Sequence, residues 1–133
     1  MSSRRGRAGQ RGFTLIELVV VISIISLLAA IALPNYRVAV IQAKEAVLKE
    51  NLFRMRDLID QYYADKGKYP ATLEALIEDG YMRALPADPI TRQIDWVVIE
   101  AEPEPDSTEP AGVYDLHSAS EGTSLAGTPY AEW

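Results

Sequence analysis

The sequence predicts an α+β fold in which one long N-terminal helix packs on a small antiparallel β-sheet. An apolar run, Phe13 to Leu33, is followed by a segment with helical periodicity and no glycine, Tyr36 to Tyr63. Two short segments rich in β-branched and aromatic residues come later and are typical of strands. A chain of 133 residues is long enough for one small domain beside such a helix.

The apolar run has the length and composition of a membrane-spanning helix. Its 21 residues include only four polar ones: Thr14, Glu17, Ser23 and Ser26. At about 1.5 Å per residue a helix of this length spans roughly 30 Å, the thickness of the hydrocarbon core of a bilayer. Residues 1–12, directly before it, carry four arginines and no acidic residue.

Glu17 is the unusual residue of this run. A lone charge in the middle of a bilayer costs at least ~3 kcal/mol, so an ionisable group there is a candidate functional residue. The alternative is that Glu17 lies near the membrane interface and reaches out to water. That alternative explains how the charge is tolerated, but not why it is present.

The segment Arg11-Gly12-Phe13-Thr14-Leu15-Ile16-Glu17-Leu18 resembles the class III signal sequence of type IV pilins and pseudopilins. In that family a prepilin peptidase cuts after the glycine, here Gly12, and methylates the new N-terminal residue, here Phe13. An ordinary signal peptide is cut after its apolar core, whereas here the core remains in the mature protein. The resemblance implies a leader at 1–12, a transmembrane and assembly half of the helix at 13–33, and a pilin-like periplasmic domain at 34–133.

The resemblance also implies roles in assembly for two residues. Glu17 would pair with the ammonium group of Phe13, either within one chain or, better, in a neighbouring chain of a filament. A charge that only a neighbour satisfies would set the register of packed helices. Pro34 stands where the family helix can kink or melt, since proline removes a backbone hydrogen bond.

The second half of the long helix shows one apolar face. The residues of this face recur at spacings of four and three, and we expect them to form the core: Leu48, Leu52, Met55, Ile59 and Tyr62. Gly67 is a natural helix stop. The predicted helix therefore runs from Phe13 to about Ala64, roughly 75–80 Å at the standard rise.

The remaining elements are short. Thr72 is expected to cap a helix over Leu73 to Asp79 that stops at Gly80. Strands are predicted over Ile94–Glu100 and Val113–His117, the second with 114 and 116 facing inward. The turns Gly67–Pro70 and Leu85–Pro89 resemble the loop after the helix of major pseudopilins. Residues 102–112 read as an exposed acidic loop.

Composition excludes several function classes. The net charge is −6, and without the leader the side chains sum to −10, so nucleic-acid binding is not expected. There is no cysteine, and His117 is the only histidine, which we interpret as structural. The carboxylates of 100–109 read as a solvated run, and no phosphate-binding glycine loop or catalytic set is present in the sequence. We therefore predict that the protein is not an enzyme.

The C-terminal tail bears on calcium, which major pseudopilins carry in this loop. Calcium takes six to eight oxygens, several of them carboxylates. The tail has no aspartate after Asp115 and only Glu121 and Glu132 as carboxylates. We therefore expect no cofactor and no metal ion, with Asp115, Ser118 and Glu121 as the ligands to test should calcium bind. Side-chain hydrogen bonds and the anchoring of Tyr130 and Trp133, the latter packed back on the sheet, would hold the loop.

The resemblance implies a structural subunit of a type II secretion pseudopilus, a major pseudopilin that helps export proteins across the outer membrane. Its partners would be further copies in a filament, the prepilin peptidase, other pseudopilins, the inner-membrane assembly platform and the membrane itself. It would cross the bacterial inner membrane once, with its C-terminal domain in the periplasm. The alternatives are a type IV pilin or minor pseudopilin of a pilus or DNA-uptake machine, and a membrane-anchored periplasmic binding or enzymatic domain.

Overall fold

The computed structural model describes residues 12–133, so residues 1–11 of the predicted leader lie outside the described range. Helix α1 comprises Leu15–Lys66 and helix α2 Glu74–Glu78. Strands β1 (Val97–Glu100) and β2 (Val113–His117) form a two-stranded antiparallel sheet, and a 3-10 turn covers Tyr130–Glu132. The α+β prediction is confirmed. The chain divides into two compact units, one ending at Val38 and the other comprising Ala39–Trp133.

In the first unit, every residue of α1 from Leu15 to Val38 is exposed, the apolar side chains included. It is the one helix within residues 12–133 that is long and apolar enough to cross a membrane. Pro34 lies inside α1 and the helix continues through it. Because proline has no N–H, the carbonyl oxygen of Ala30 lacks its usual donor there. The predicted kink or opening of the helix at Pro34 within a filament stays a prediction.

Helix α1 begins two residues after the predicted start, Phe13, and ends two residues after the predicted end, Ala64. Each difference has a local cause. The hydroxyl of Thr14 accepts the backbone N–H of Glu17 at 3.2 Å, so the helix begins after Thr14. At the other end Gly67 adopts φ +71°, and its N–H donates to the Tyr63 carbonyl oxygen at 2.8 Å. The predicted stop at Gly67 is confirmed.

The second unit is built on the predicted face of α1. All five predicted core residues, Leu48, Leu52, Met55, Ile59 and Tyr62, are buried. The side chains that complete the core come from α2, the sheet and the tail: Leu73, Leu76, Trp96, Val113, Leu116 and Tyr130. The helix periodicity therefore predicted the α1 half of the core correctly.

Helix α2 is shorter than predicted, and the prediction of Thr72 as its cap is wrong. Leu73 occupies the N-cap position with helical φ and ψ (−64°, −30°), and no side chain caps the helix. Thr72 contributes its carbonyl oxygen instead, which accepts the N–H of Ala75 at 3.2 Å. The stop at Gly80 is confirmed, since Gly80 has φ +80° and its N–H and that of Tyr81 close the last turn.

Strand β1 begins at Val97 rather than at Ile94. The preceding residues form a turn around Asp88, whose N–H donates to the Gln93 carbonyl oxygen at 2.9 Å and whose carbonyl oxygen accepts from Arg92 at 2.7 Å. Trp96 is buried and donates its indole N–H to the Pro86 carbonyl oxygen at 2.8 Å. Because the backbone before Val97 is folded into this turn, it cannot extend strand β1 towards Ile94.

Strand β2 has the predicted bounds, but one inward-facing residue was predicted wrongly. Leu116 is buried as expected, whereas Tyr114 is 54% exposed and Val113 is buried in its place. The register explains this: Ile99 pairs with Asp115 and Glu100 with Val113, so the β-bulge leaves Tyr114 without a partner on β1. A bulge inserts one residue and shifts the alternation of faces.

The predicted exposed acidic loop, 102–112, is exposed from residue 102 to 110, but Ala111 is half-buried and Gly112 is buried against the backbone of Tyr69 and Pro70, so the prediction is wrong for these last two residues. The tail after Ser118 is loop-like apart from the 3-10 turn. The expectation that Trp133 packs on the sheet needs correction. Its ring meets Tyr130 edge-on at 5.1 Å between centroids, and Lys49 Nζ of α1 lies 4.7 Å from the ring centroid. Trp133 is therefore anchored between the tail and α1.

Candidate functional site

The predicted cleavage site lies immediately before α1. Gly12 and Phe13 are non-helical and exposed, Phe13 to 90%, because the Thr14 cap starts the helix only at Leu15. A Cβ atom added at Gly12 would meet no atom within 4 Å. The fold of the described residues therefore does not itself require glycine at this position.

Glu17 is the third residue of α1, one turn after Phe13. A carboxylate in the first turn interacts favourably with the positive end of the helix dipole. Phe13 and Glu17 line the same shallow surface cleft of about 340 Å³, together with Ile16, Val20 and Val21. The structure thus brings the predicted methylation site and the predicted assembly residue together on one face.

In the second unit, Glu45 of α1 holds the C-terminal loop. Its Oε1 accepts the backbone N–H of Leu125 at 2.9 Å and the hydroxyl of Tyr130 at 2.8 Å. Burial raises the pKa of Tyr130 to about 12, with a further contribution from the hydrogen bond to the Glu45 carboxylate and its negative charge.

Arg56, three turns further along α1, holds β2 and the end of the tail. Its Nε donates to Asp115 Oδ1 at 2.7 Å, and its Nη2 donates to the carbonyl oxygens of Leu116 at 2.9 Å and Trp133 at 2.5 Å. Within the loop, the Ser124 hydroxyl lies 2.8 Å from that of Thr128, and a β-bridge joins Thr123 to Pro129. The predicted hydrogen bonding of the loop and the anchoring of Tyr130 and Trp133 are present.

Comparisons with known proteins identify relatives of both the N-terminal segment and most of the chain. Residues 7–33 match the family described as the prokaryotic N-terminal methylation motif. The type II secretion system core protein G of Escherichia coli K12 is 33% identical over 126 residues, covering 83% of this chain and 81% of its own. That of Pseudomonas aeruginosa is 37% identical over 99 residues, covering 62% of this chain and 70% of its own.

The chain belongs to the core protein G family, the major pseudopilins. A type IV major pilin protein of Neisseria gonorrhoeae is 44% identical, but only over 63 residues, 46% of this chain and 37% of its own. The likeness to that pilin therefore covers less than half of this pseudopilin, whereas the likeness to core protein G covers most of the chain and extends into the unit that comprises Ala39–Trp133. No solved structure matches the chain.

The three candidate metal ligands of this pseudopilin are not brought together as a metal site. Asp115 is paired with Arg56 and also accepts the N–H of Leu116 at 2.8 Å. Ser118 is fully buried and donates its hydroxyl to Asp88, and Glu121 is exposed. Among residues 12–133, no group of three His, Cys, Asp or Glu side chains could hold a metal ion.

Sequence reasoning missed three side chains that organise the loop: Glu45, Arg56 and Asp88. Asp88 is fully buried, and its Oδ1 accepts the N–H of Ile90 at 2.7 Å while its Oδ2 accepts from Ser118. The Leu85–Pro89 segment signalled a turn, which was correct, but nothing in it signals burial. His117 lies with Nδ1 2.9 Å from the Ser118 carbonyl oxygen, at the end of β2.

Proposed function

We propose that this pseudopilin is a structural subunit of a type II secretion pseudopilus, assembled after cleavage by a prepilin peptidase. The observation that carries the proposal is that the core protein G of Escherichia coli matches 83% of this chain, a likeness that extends well beyond the N-terminal motif. The N-terminal methylation motif at 7–33 supports processing. The protein would act mechanically, as one unit of a filament, and perform no chemistry itself.

Processing is supported by the geometry around Gly12. The Gly12–Phe13 bond lies outside the helix and in an exposed segment, which is the backbone state that a peptidase needs to accept a substrate. Since a side chain at Gly12 would contact nothing in the described part of the chain, a requirement for glycine would come from the peptidase. Phe13 would then carry the new amino group and the methyl group.

Assembly is proposed to rest on Glu17. Cleavage places an ammonium group on Phe13 at the start of α1, where the positive end of the helix dipole disfavours another positive charge. A carboxylate from the same or a neighbouring chain would offset it, and burial between helices would make an unpaired partner costly. We propose that Glu17 supplies this carboxylate as subunits join, and that Pro34 lets the helix adjust there.

The same elements support a location in the inner membrane. The apolar part of α1 would anchor the subunit in the inner membrane by a single pass, with Ala39–Trp133 in the periplasm. Further copies of the chain, other pseudopilins and the inner-membrane assembly platform would be its partners. An acidic mature chain offers no basic face for nucleic acid, so a DNA-uptake role is not part of the proposal.

Mass spectrometry of the mature N-terminus tests the proposal. The full chain is produced in cells with the prepilin peptidase of a type II secretion system, and we expect a protein that starts at Phe13 and carries one methyl group there. Gly12→Leu should leave the precursor uncut, whereas Gly9→Leu, a matched change elsewhere in the leader, should be cleaved normally. A mature protein that still begins with the arginine-rich segment would refute the filament role.

A further inference from the structure

Three oxygen atoms from distant parts of the fold converge on the guanidinium group of Arg56. One is the Oδ1 of Asp115, at 2.7 Å from Nε, and two are the carbonyl oxygens of Leu116 and Trp133, at 2.9 Å and 2.5 Å from Nη2. Asp115 and Leu116 belong to β2, and Trp133 ends the tail. A single cation on α1 therefore joins the sheet and the tail to the helix.

This oxygen set is of the kind that a calcium ion gathers, but it is too small and too weakly charged for one. Calcium takes six to eight oxygens, with several carboxylates among them. Here one carboxylate and two carbonyl oxygens converge, and the other candidate ligands are committed elsewhere or exposed: Ser118 donates to Asp88, and Glu121 faces solvent. The residues present thus do not fit the ion that the family resemblance implies.

We propose that the Arg56 guanidinium takes the place of a metal ion in this pseudopilin and holds the C-terminal loop without calcium. A guanidinium is charged at all accessible pH values and carries five N–H donors in a fixed plane, so it can serve several oxygens at once. It needs no ion from solution. The loop would therefore be equally ordered whether calcium is present or absent.

Neighbouring contacts from α1 reinforce this arrangement. Glu45 holds the loop at Leu125 and Tyr130, and Lys49 lies over the ring of Trp133. Together with Arg56 these residues lie at spacings of four and seven along one helix face, so α1 presents a row of charged groups to the tail. The tail contacts these three residues through two backbone groups, the N–H of Leu125 and the carbonyl oxygen of Trp133, and through the aromatic side chains of Tyr130 and Trp133.

Thermal unfolding of the full chain in detergent micelles tests the proposal, followed by tryptophan fluorescence because Trp133 is part of the cluster. The midpoint of the unaltered chain should be the same in millimolar calcium and in chelator. Arg56→Ala should lower it by roughly 5 °C or more, because it removes three hydrogen bonds and the positive charge that faces Asp115. Arg56→Lys should fall between, since an ammonium keeps the charge but lacks the planar fork.

Arg54→Ala is the matched control. Arg54 pairs with Glu50 on the same helix at 3.3 Å, but its side chain is 73% exposed, so its loss should change the midpoint little. A midpoint of the unaltered chain that rises by several degrees in calcium would overturn the proposal, as would equal midpoints for the Arg56 and Arg54 variants. If Arg56→Ala does not fold, the comparison of Arg56→Lys with Arg54→Lys decides in its place. None of these readouts depends on cleavage or filament formation, so this proposal and the proposed function fail separately.

Discussion

The hydroxyl of Tyr130 donates to Glu45 Oε1 at 2.8 Å, joining residues that lie 85 positions apart in the sequence. Tyr130 is 5% exposed, and burial together with this bond raises its pKa to about 12. Tyr81 donates to Asp65 at 2.7 Å, and that bond, with burial, also raises its pKa to about 12. Both tyrosines therefore hold their protons more tightly in the folded protein than in the unfolded chain.

This difference predicts a loss of stability at high pH. Below pH 10 both states keep these protons, so the stabilisation is fully present. Between pH 10 and about 12 the unfolded chain releases the protons and the folded protein does not, so the free energy of unfolding falls as the pH rises. Tyr130→Phe should make this fall shallower. Denaturant midpoints measured from pH 8 to about 12 for both proteins check it.

Tyr114→Phe is the control for this prediction, since Tyr114 is 54% exposed on β2. It should leave the pH dependence as it is. An equally steep fall for Tyr130→Phe and the unaltered protein would contradict the link between Tyr130 and Glu45.

The buried pair Asp88 and Ser118 predicts a second set of effects. Asp88→Ala would leave the Ser118 hydroxyl and the Ile90 N–H without their acceptor, which costs about 2–4 kcal/mol in the free energy of unfolding. Asp88→Asn keeps an oxygen for the Ile90 N–H and should cost less. Urea unfolding of Asp88→Ala, Ser118→Ala and the double variant measures the coupling.

Asp88 and Ser118 are both fully buried, so neither can replace a lost hydrogen bond with one to water. The coupling free energy therefore reports on their direct contact. The double variant should be more stable than the sum of the single losses implies, by about 1 kcal/mol or more. Strict additivity would mean that Asp88 serves only its own turn and does not hold the end of β2.

Gly112 gives a third prediction, from a close approach of two backbone segments. A Cβ there would lie 2.5 Å from the Tyr69 carbonyl oxygen and 2.7 Å from that of Pro70, and the Pro70 oxygen accepts the N–H of Val113. Gly112→Ala must push these segments apart and should cost about 1–3 kcal/mol. Gly122→Ala is the control, because its nearest contact is the Ser120 hydroxyl at 3.2 Å. Equal losses for the two variants, measured by urea unfolding, would argue against the close packing.

These residues also mark what the sequence could predict. The core face of α1 was predictable because helix periodicity is local and the segment is uninterrupted from Tyr36 to Tyr63. The exposure of Tyr114 was not, since the bulge depends on pairing with β1. Arg56 meets its three acceptors across 59, 60 and 77 positions, and no short-range pattern reports such contacts. The N-terminal methylation motif, by contrast, could be recognised from the sequence, because its residues lie within a few positions of one another.

The last prediction concerns Glu17, whose backbone N–H is held by the Thr14 hydroxyl at 3.2 Å and whose carboxylate is exposed beside Phe13. Glu17→Val removes a charge from the apolar run, so membrane insertion should be unchanged or better. Filament assembly should fail or weaken, because the ammonium of Phe13 loses its carboxylate. Glu17→Gln should fail as well, since it keeps the size and polarity but not the charge.

Ser23→Val controls for added apolarity, because the Ser23 hydroxyl only donates to the Val19 carbonyl oxygen of its own helix at 2.7 Å. The measurements are membrane fractionation and the yield of sheared filaments from cells that carry the secretion machinery. Filaments from Glu17→Val at the level of the unaltered protein would show that Glu17 merely reaches out to the membrane interface.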